Sequence, residues 1–467
     1  MTASADLPYA DRDVGGCGGP KPHIAIVGGG IVGVVLTLGL IKQAIPVQLY
    51  EQAQGFRELG AGIAFSACAR RCMELIDPSI PQALVRGGAV SISDVEDQDC
   101  LRWIDGYNQY RPDEPEYQKP LAQIGGAGFR GCRRDEFLEE LSKSLPAGVI
   151  KFGKRLETIE NQADGKIILA FGDGTQAEAT AVIGCDGIKS RVRKHMYGAK
   201  NEASYPQFTH KVAYRALLPM TDALEVLGTW KANNFHHHVG PGAHMTHYPV
   251  ANHKALNVVI VLSDPQPWPD HDNMVAEGSR EKLEAALQDW HPTVLKLVRR
   301  LPDKLNTWAL FDLGDYPLPR YNAGRICVAG DAAHATTPHH GAGACLGIED
   351  ALCLNILLGQ VCSNNNADLN HAVEVAFGVF DKIRRPRTQW LVNSSRRACD
   401  LYHQQEWADP SRRVKAETCF EEMRDRSYKI WHFDVDDMVR QTQAEYNRRL
   451  LDCSVENGPG RKFGYVL

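Results

Sequence analysis

An α/β fold, in which a parallel sheet is interrupted by a β-rich insert and followed by a helical tail, is predicted by three stretches of the 467-residue sequence. The first runs from His23 to Gly33, a short apolar strand that breaks into Gly28-x-Gly30-x-x-Gly33 and then an apolar helix. The second, Tyr205 to Leu262, alternates, is rich in β-branched and aromatic residues and carries turn signals such as Gly240-Pro241-Gly242, the pattern of an antiparallel sheet. The third, Arg325 to Asp331, is a buried parallel-type strand ending in Gly330-Asp331 before a long apolar helix from Cys345 to about Gly359.

The remaining elements follow in order. Residues 1–20 carry aspartates and glycines but no apolar core, as expected of a disordered leader. A second strand, Pro46 to Tyr50, closes the first unit at Glu51, and the small-residue loop Glu58 to Ala64 precedes a short helix from Ala67 to Leu75. Polar, proline-broken sequence from Glu96 to Tyr117 reads as a surface excursion. Helical periodicity resumes at Arg134 to Leu141, strands follow around Ile150 and from Lys166 to Phe171, and Gly172-Asp173-Gly174 marks a hairpin turn. Ala181 to Gly187 is a buried strand ending in Asp-Gly, and Glu281 to Ala286 and Thr293 to Arg299 are helical. The expected domains are a discontinuous nucleotide-binding domain at 21–204 and 308–400, a mixed or antiparallel sheet domain for substrate at 205–307, and a helical C-terminal segment at 401–467 that serves as a lid or a homodimer contact.

Composition narrows the function. With 43% hydrophobic and 23% charged residues and a net charge of -5, nothing favours nucleic acid or an anionic membrane. Thirteen scattered cysteines without a C-x-x-C pair suggest neither a disulfide framework nor a zinc site, which points to a reducing, cytoplasmic setting. The uncharged run from Ile24 to Leu40 approaches the length of a membrane span, but glycines crowd its first half.

In the first motif Gly28 permits the tight turn, Gly30 lets backbone approach a pyrophosphate and Gly33 lets helix and strand pack closely, while the helix N-terminus offers N–H groups to phosphate. Glu51, eighteen residues past Gly33, is placed for a ribose diol. Asp331 stands at a strand's C-terminal end, in the ligand crevice of an open α/β sheet, or else is an ordinary helix cap. Asp186 is a weaker ligand candidate and an equally good turn former.

Gly28-x-Gly30-x-x-Gly33, Cys185-Asp186-Gly187-x-x-Ser190-x-x-Arg193 and Gly330-Asp331-Ala332-Ala333-His334, in this order, resemble the single-component (group A) FAD-dependent aromatic hydroxylases of the para-hydroxybenzoate and salicylate hydroxylase type. The resemblance implies a Rossmann-like FAD-binding domain, non-covalent FAD, NADPH or NADH as co-substrate, and oxygen transfer from dioxygen through a flavin hydroperoxide. It also implies that Glu51 binds ribose, Ala64 offers a backbone contact, Arg134 touches FAD, Asp331 holds the ribityl chain and the backbone of Ala344 lies beside the flavin ring. Two positions depart from the family pattern: Arg133 replaces a common histidine and Ala342 a common polar residue.

Val212-Ala213-Tyr214-Arg215-Ala216 and Met245-Thr246-His247-Tyr248-Pro249 are similar to segments of fungal enzymes that hydroxylate polyketide phenols with loss of aromaticity. The likeness implies that Arg215 and Tyr248 hold a phenolate, a role that suits a guanidinium and a phenol O–H. Of His236-His237-His238, His244 and His247, one is expected to line the substrate cavity; consecutive strand residues alternate faces, which argues against a metal site at the triplet. Rival readings are a salicylate-type decarboxylating or simple aromatic hydroxylase and a non-oxygenating flavoprotein. A flavin halogenase would need a W-x-W-x-I-P motif that the sequence lacks.

Overall fold

In the computed structural model, residues 21–56, 62–93, 100–108, 117–125, 128–270, 272–363, 368–409 and 413–456 are described. The expected leader and most of the loop before Gly62 lie outside them. Ile24–Val27 sits at the centre of a six-stranded sheet, flanked by Val47–Tyr50 and Ala181–Gly184, with Ile150–Lys151 beyond one and Ile326–Val328 beyond the other. These pairings are parallel, and a short antiparallel strand, Asn322–Ala323, forms the edge. Ile24–Val27 and Ala181–Gly184 are buried along their whole length, as strands covered on both faces must be.

Helices Ile31–Lys42 and Gly343–Ser363 belong to the same apolar core as these strands. The run from Ile24 to Leu40 is therefore strand, turn and helix. Gly343–Ser363 is long and apolar enough to cross a membrane, yet 78% of its apolar window is buried within the protein, the mark of a core helix.

The larger sheet has eight strands, in the order Val275–Ser279, Lys304–Asp312, Gln207–Pro219, Ala255–Ser263, Ala243–Val250, His236–Gly240, Cys100–Asp105 and Pro120–Gly125. Cys100–Asp105 corrects the sequence expectation of a surface excursion from Glu96 to Tyr117, and Pro120–Gly125 lies just beyond that stretch. Leu101, Trp103 and Ile104 bury their side chains, and Cys100–Asp105 pairs in parallel with His236–Gly240, so this short apolar stretch outweighs its polar flanks. The sheet thus draws strands from ahead of residue 205 as well as after it. Within the insert, helix Met220–Ala232 buries Met220, Ala223, Leu227 and Ala232, a helical spacing that the surrounding strand pattern masks. Gly62–Phe65, expected as loop, is a strand paired with Arg130–Arg133, and Leu156–Asn161 adds an unanticipated strand to the hairpin of Ile167–Phe171 and Gln176–Ala179.

Register assigns the faces of the eight-stranded sheet. Arg215 pairs with Val259, which pairs with Thr246, which pairs with His237. Tyr248 pairs with Asn257, two positions along, so Arg215, Tyr248, Asn257, His237 and His244 share one face. His236, His238 and His247 fall on the other, with Leu256, Val258 and Ile260. The tail forms helices Arg413–Trp431 and Val435–Glu456, which bury Phe420, Met423, Trp431, Met438 and Tyr446 against the rest of the chain.

Candidate active site

A groove of about 1180 Å³ opens along the C-terminal ends of the parallel strands. Gly28, Gly30, Glu51, Arg134 and Asp186 all line it. Gly28 has φ of 109°, and a Cβ there would strike the carbonyl of Cys185; a Cβ on Gly33 would strike the Gly28 carbonyl. Only glycine serves at either place, because strand, turn and helix are in van der Waals contact. Glu51 is fixed by the turn it serves: one carboxylate oxygen accepts from Gly29 N–H at 2.6 Å and the other from Ala53 N–H at 2.7 Å. Each oxygen keeps lone pairs for a further donor.

Arg134 opens helix Arg134–Ser142 and directs a guanidinium nitrogen toward Gly30, 3.8 Å from where a Cβ would stand. Desolvation lowers its pKa, opposed by the carboxylates of Asp331 and Glu51; Glu51 lines the groove with it, whereas Asp331 is not among the groove's lining residues. Arg133 turns away to a 2.7 Å ion pair with Asp135. Asp331 begins helix Asp331–His334 and remains accessible, with Oδ1 3.9 Å from the Cβ position of Gly343, where the next long helix starts. Ala344 lies in the first turn of that helix, and Ala64 in the strand Gly62–Phe65, its carbonyl accepting from the Cys345 thiol at 3.7 Å.

The Asp-Gly motif is organised differently from the ligand role considered for it. Asp186 accepts from Ser190 Oγ at 2.6 Å and from the backbone N–H groups of Arg191 and Val192, capping the helix Arg191–Tyr197. Arg193 is fully buried and donates to the carbonyls of Ala332, Ile188 and Ser204. The second motif is thereby clamped to the third.

A group the sequence reading missed anchors Asp331 from below. His334 Nε2 meets Asp350 Oδ2 at 2.5 Å, the same oxygen accepts from Gly330 N–H at 3.0 Å, and Arg384 bridges Asp350 at 2.8 Å and Glu349 at 2.7 Å. Arg387 joins Glu349 to the carbonyls of Lys429 and Ile430 in the tail. Burial raises the pKa of both carboxyls but the neighbouring cations outweigh it, so Glu349 and Asp350 stay ionised. The sequence signal was available: Glu349 and Asp350 are the two acids in an otherwise apolar helix, and such residues are not fully buried without partners.

On the face of the large sheet shared with Tyr248, Arg215 is half-buried, its Nε has no partner among the described residues, and its guanidinium stands 5.4 Å from the Trp308 ring. Burial lowers its pKa, and Tyr248 is the leading partner that opposes the shift. Tyr248 is buried, stacks 5.7 Å from Phe235, and has its phenol pushed above the usual range by desolvation. Asn257, beside it in register, donates none of its Nδ2 hydrogens within the described residues, while its Oδ1 accepts from Gly62 N–H at 3.1 Å. An unpaired guanidinium among buried polar groups is a site prepared for an anion.

The histidines around it carry no charge at neutral pH. Desolvation lowers His244 to about 3 and holds His237 and His339 well below the ordinary value. His237 is held by Thr246 Oγ1 at 2.7 Å and stacks on Trp103, and His244 Nδ1 meets His403 Nε2 at 2.8 Å. On the opposite face His238 Nε2 meets His247 Nε2 at 3.0 Å. Alternation thus places His237 and His244, of the five considered, on the same face of the sheet as Arg215 and Tyr248.

Comparison with known proteins agrees with this geometry. A family profile described as FAD binding domain matches residues 133–370. An FAD-dependent monooxygenase of Phoma sp is 65% identical over 437 residues, covering 91% of this chain and 98% of that relative. The chain belongs to the FAD-dependent monooxygenases. A salicylate hydroxylase of Sarocladium schorii is 63% identical over 465 residues, 96% of this chain and 97% of the relative. Among solved structures, a salicylate hydroxylase in its substrate complex is similar with a TM-score of 0.74 at 26% identity, covering 90% of this chain and 98% of that one.

The monooxygenase takes FAD as its cofactor, and its residues fit that group. The glycine turn provides a cradle that a Cβ would fill, Glu51 retains acceptor capacity where a ribose diol would lie, and Asp331 stands beside the helix terminus whose positive end suits negative charge on a reduced flavin.

Proposed function

We propose that this monooxygenase uses NADPH or NADH and dioxygen to hydroxylate a phenolic polyketide ring at a substituted carbon, giving a dearomatised cyclohexadienone in fungal secondary metabolism. The observation that carries the reading is the unpaired Arg215 guanidinium on the same sheet face as Tyr248. When bound, FAD would relay the two electrons of the nicotinamide co-substrate to dioxygen, so that one oxygen atom reaches the ring and the other leaves as water. The chain's own residues hold the phenol: Arg215 favours its phenolate, and Tyr248 donates a hydrogen bond to the same oxygen. Phenolate character makes the ring carbon ortho or para to that oxygen nucleophilic, and a fixed oxygen fixes which carbon is presented. Neutral His237 and His244 add polarity without a second cation to compete for the phenolate.

Glu51, Arg134, Asp331 and the backbones of Ala64 and Ala344 would hold the non-covalent cofactor, and the enzyme works on small molecules in the cytoplasm. A second reading, decarboxylating hydroxylation of a salicylate-like acid, is favoured by the salicylate hydroxylase relatives in sequence and structure. Mass analysis of products from 3-methylorcinaldehyde, whose C3 is both substituted and ortho to its hydroxyls, and from salicylate, each with NADPH and with NADH, separates them. The expected result is a dearomatised product from 3-methylorcinaldehyde. Catechol from salicylate, with 3-methylorcinaldehyde untouched, contradicts the proposal.

A further inference from the structure

The nucleotide groove extends beyond the residues that fit FAD: Lys189, Arg191, Lys194, Tyr205 and Gln207 line it as well. At about 1180 Å³ it exceeds the about 300–1,000 Å³ of an ordinary small-molecule site.

Two features give this part of the groove a chemistry. The first is open positive charge. Of the cations in the groove wall, Lys154 is taken up by Asp173, and Arg155 by Glu157 at 3.0 Å. Lys189, Arg191 and Lys194 have no carboxylate within ion-pair distance among the described residues; Lys189 donates to the carbonyl of Asp272, and Arg191 to that of Leu156 at 2.8 Å. Two acids line the same part, but Asp270 Oδ1 already accepts from the N–H groups of Asp272 at 2.8 Å and Asn273 at 3.2 Å. Desolvation lowers the pKa of His195, which adds no fixed charge. Lys189, Arg191 and Lys194 against Asp270 and Asp272 leave the wall net positive, which favours an anion.

The second is an aromatic surface. Tyr205 is 39% exposed, its hydroxyl is tied to the Ala199 carbonyl at 3.0 Å, and the Lys194 ammonium stands 5.3 Å from the centre of its ring. A tethered, exposed ring in a groove is a stacking platform for a planar base. A lysine beside that ring is placed for a phosphate that the base carries one ribose away, as a point charge needing no fixed bidentate geometry. Base and phosphate together describe a phosphorylated adenosine. Glu51 separates the two ends of the groove by charge: an acid accepts from a free ribose diol and repels a phosphorylated one, so a 2′-phosphate has to be met by cations elsewhere.

We propose that Tyr205 and Lys194 take the adenosine 2′-phosphate end of NADPH, and that the enzyme therefore binds NADPH in preference to NADH. The adenine stacks on Tyr205, and Lys194, helped by Lys189, pairs with the 2′-phosphate. The inference rests on the use of a nicotinamide co-substrate in the proposed function above.

The test is calorimetric titration of the FAD-loaded enzyme with 2′,5′-ADP and with 5′-AMP, which differ only in the 2′-phosphate, in wild type, Lys194→Ala, Lys194→Arg and Tyr205→Ala. Wild type should bind 2′,5′-ADP about tenfold or more tighter than 5′-AMP. Lys194→Ala should bring that ratio down several-fold, Lys194→Arg should keep it, and Tyr205→Ala should weaken both nucleotides alike. FAD content reports folding of each variant, and Lys189→Ala serves if Lys194→Ala fails to retain the cofactor; both lysines are exposed. Equal affinities in wild type, an undiminished ratio in FAD-loaded Lys194→Ala, or wild-type affinity for 5′-AMP in Tyr205→Ala overturns the inference. Anaerobic mixing of wild type with NADPH and with NADH keeps the two levels apart. Flavin bleached by neither refutes the nicotinamide use itself, whereas bleaching by both with the same concentration dependence refutes only the preference.

Discussion

The nucleotide groove and the Arg215 face of the large sheet are built by opposite means. Around the groove, backbone and several tethered charges act together: Glu51 is pinned by two N–H groups, Asp331 sits on a helix start held by Asp350, and both carboxylates act electrostatically on Arg134. On the sheet face Arg215 stands among aromatics and imidazoles kept neutral by burial. A shared load makes cofactor binding tolerant of single changes and dependent on the scaffold. In the proposed reading, substrate activation would depend on Arg215 while the fold is largely indifferent to it.

The largest effect that would break this contrast comes from the scaffold. Arg384→Met strips Asp350 of its buried arginine and leaves Glu349 to Arg387 alone, and removing one partner of a buried pair costs about 3–5 kcal/mol. Thermal unfolding should move sharply down and FAD release should accompany it, because Asp350 also holds Gly330 N–H next to Asp331. A variant with wild-type melting and cofactor content would remove this network from the support of the groove. Glu51→Ala should act next, with a loss of about 1.5–3 kcal/mol for a hydrogen bond to a charged acceptor, or about 10- to 150-fold in FAD affinity. Titration of apoenzyme with FAD measures it, and an unchanged affinity would take Glu51 out of the site.

Tyr248→Phe sharpens the other half of the comparison. Losing one charge-assisted hydrogen bond of about 1–2 kcal/mol should lower oxygen transfer by about 5- to 30-fold while FAD stays bound. Rapid-quench product yields decide it, and a fall in FAD content instead would place Tyr248 in the scaffold.

Acid gives the smallest effect per step. His236 and His244 are lowered to about 3 from 6.5, so below pH 6.5 the unfolded chain takes up protons that the fold refuses. Stability is then retained above pH 6.5 and falls as pH drops toward 4, at up to about 1.4 kcal/mol per pH unit for each such histidine. Asp105, raised to about 6 by burial, works in the reverse sense between 3.8 and 6 and offsets about one of them. Melting temperatures at pH 7, 6 and 5 should decline in that order; equal values would show that these imidazoles titrate freely in the fold.

The same contrast governs what could be read in the sequence. The groove is specified by backbone conformations that only glycine reaches and by acids at strand ends, so Gly28, Gly33, Glu51 and Asp331 are visible at fixed spacing. The sheet face is specified by register between distant strands. No local pattern brings Arg215 beside Tyr248, 33 positions later in the chain, and only the resemblance to phenol hydroxylases paired them in advance. Cys100–Asp105 was hidden by its polar flanks although Trp103 is fully buried there, and the cap formed by Asp186 was visible as a turn former but not as the clamp that Arg193 completes.

The central claim, that Arg215 holds the phenol for oxygen transfer, is tested most directly by a single-turnover comparison of wild type and Arg215→Gln with 3-methylorcinaldehyde. Losing a charge-assisted contact of about 2–4 kcal/mol in the transition state should slow transfer by about 30- to 1000-fold. The account predicts full FAD content, continued NADPH consumption whenever substrate still promotes flavin reduction, and reducing equivalents appearing as hydrogen peroxide in place of product. Near-normal product per NADPH in the variant would contradict it and place the phenolate elsewhere.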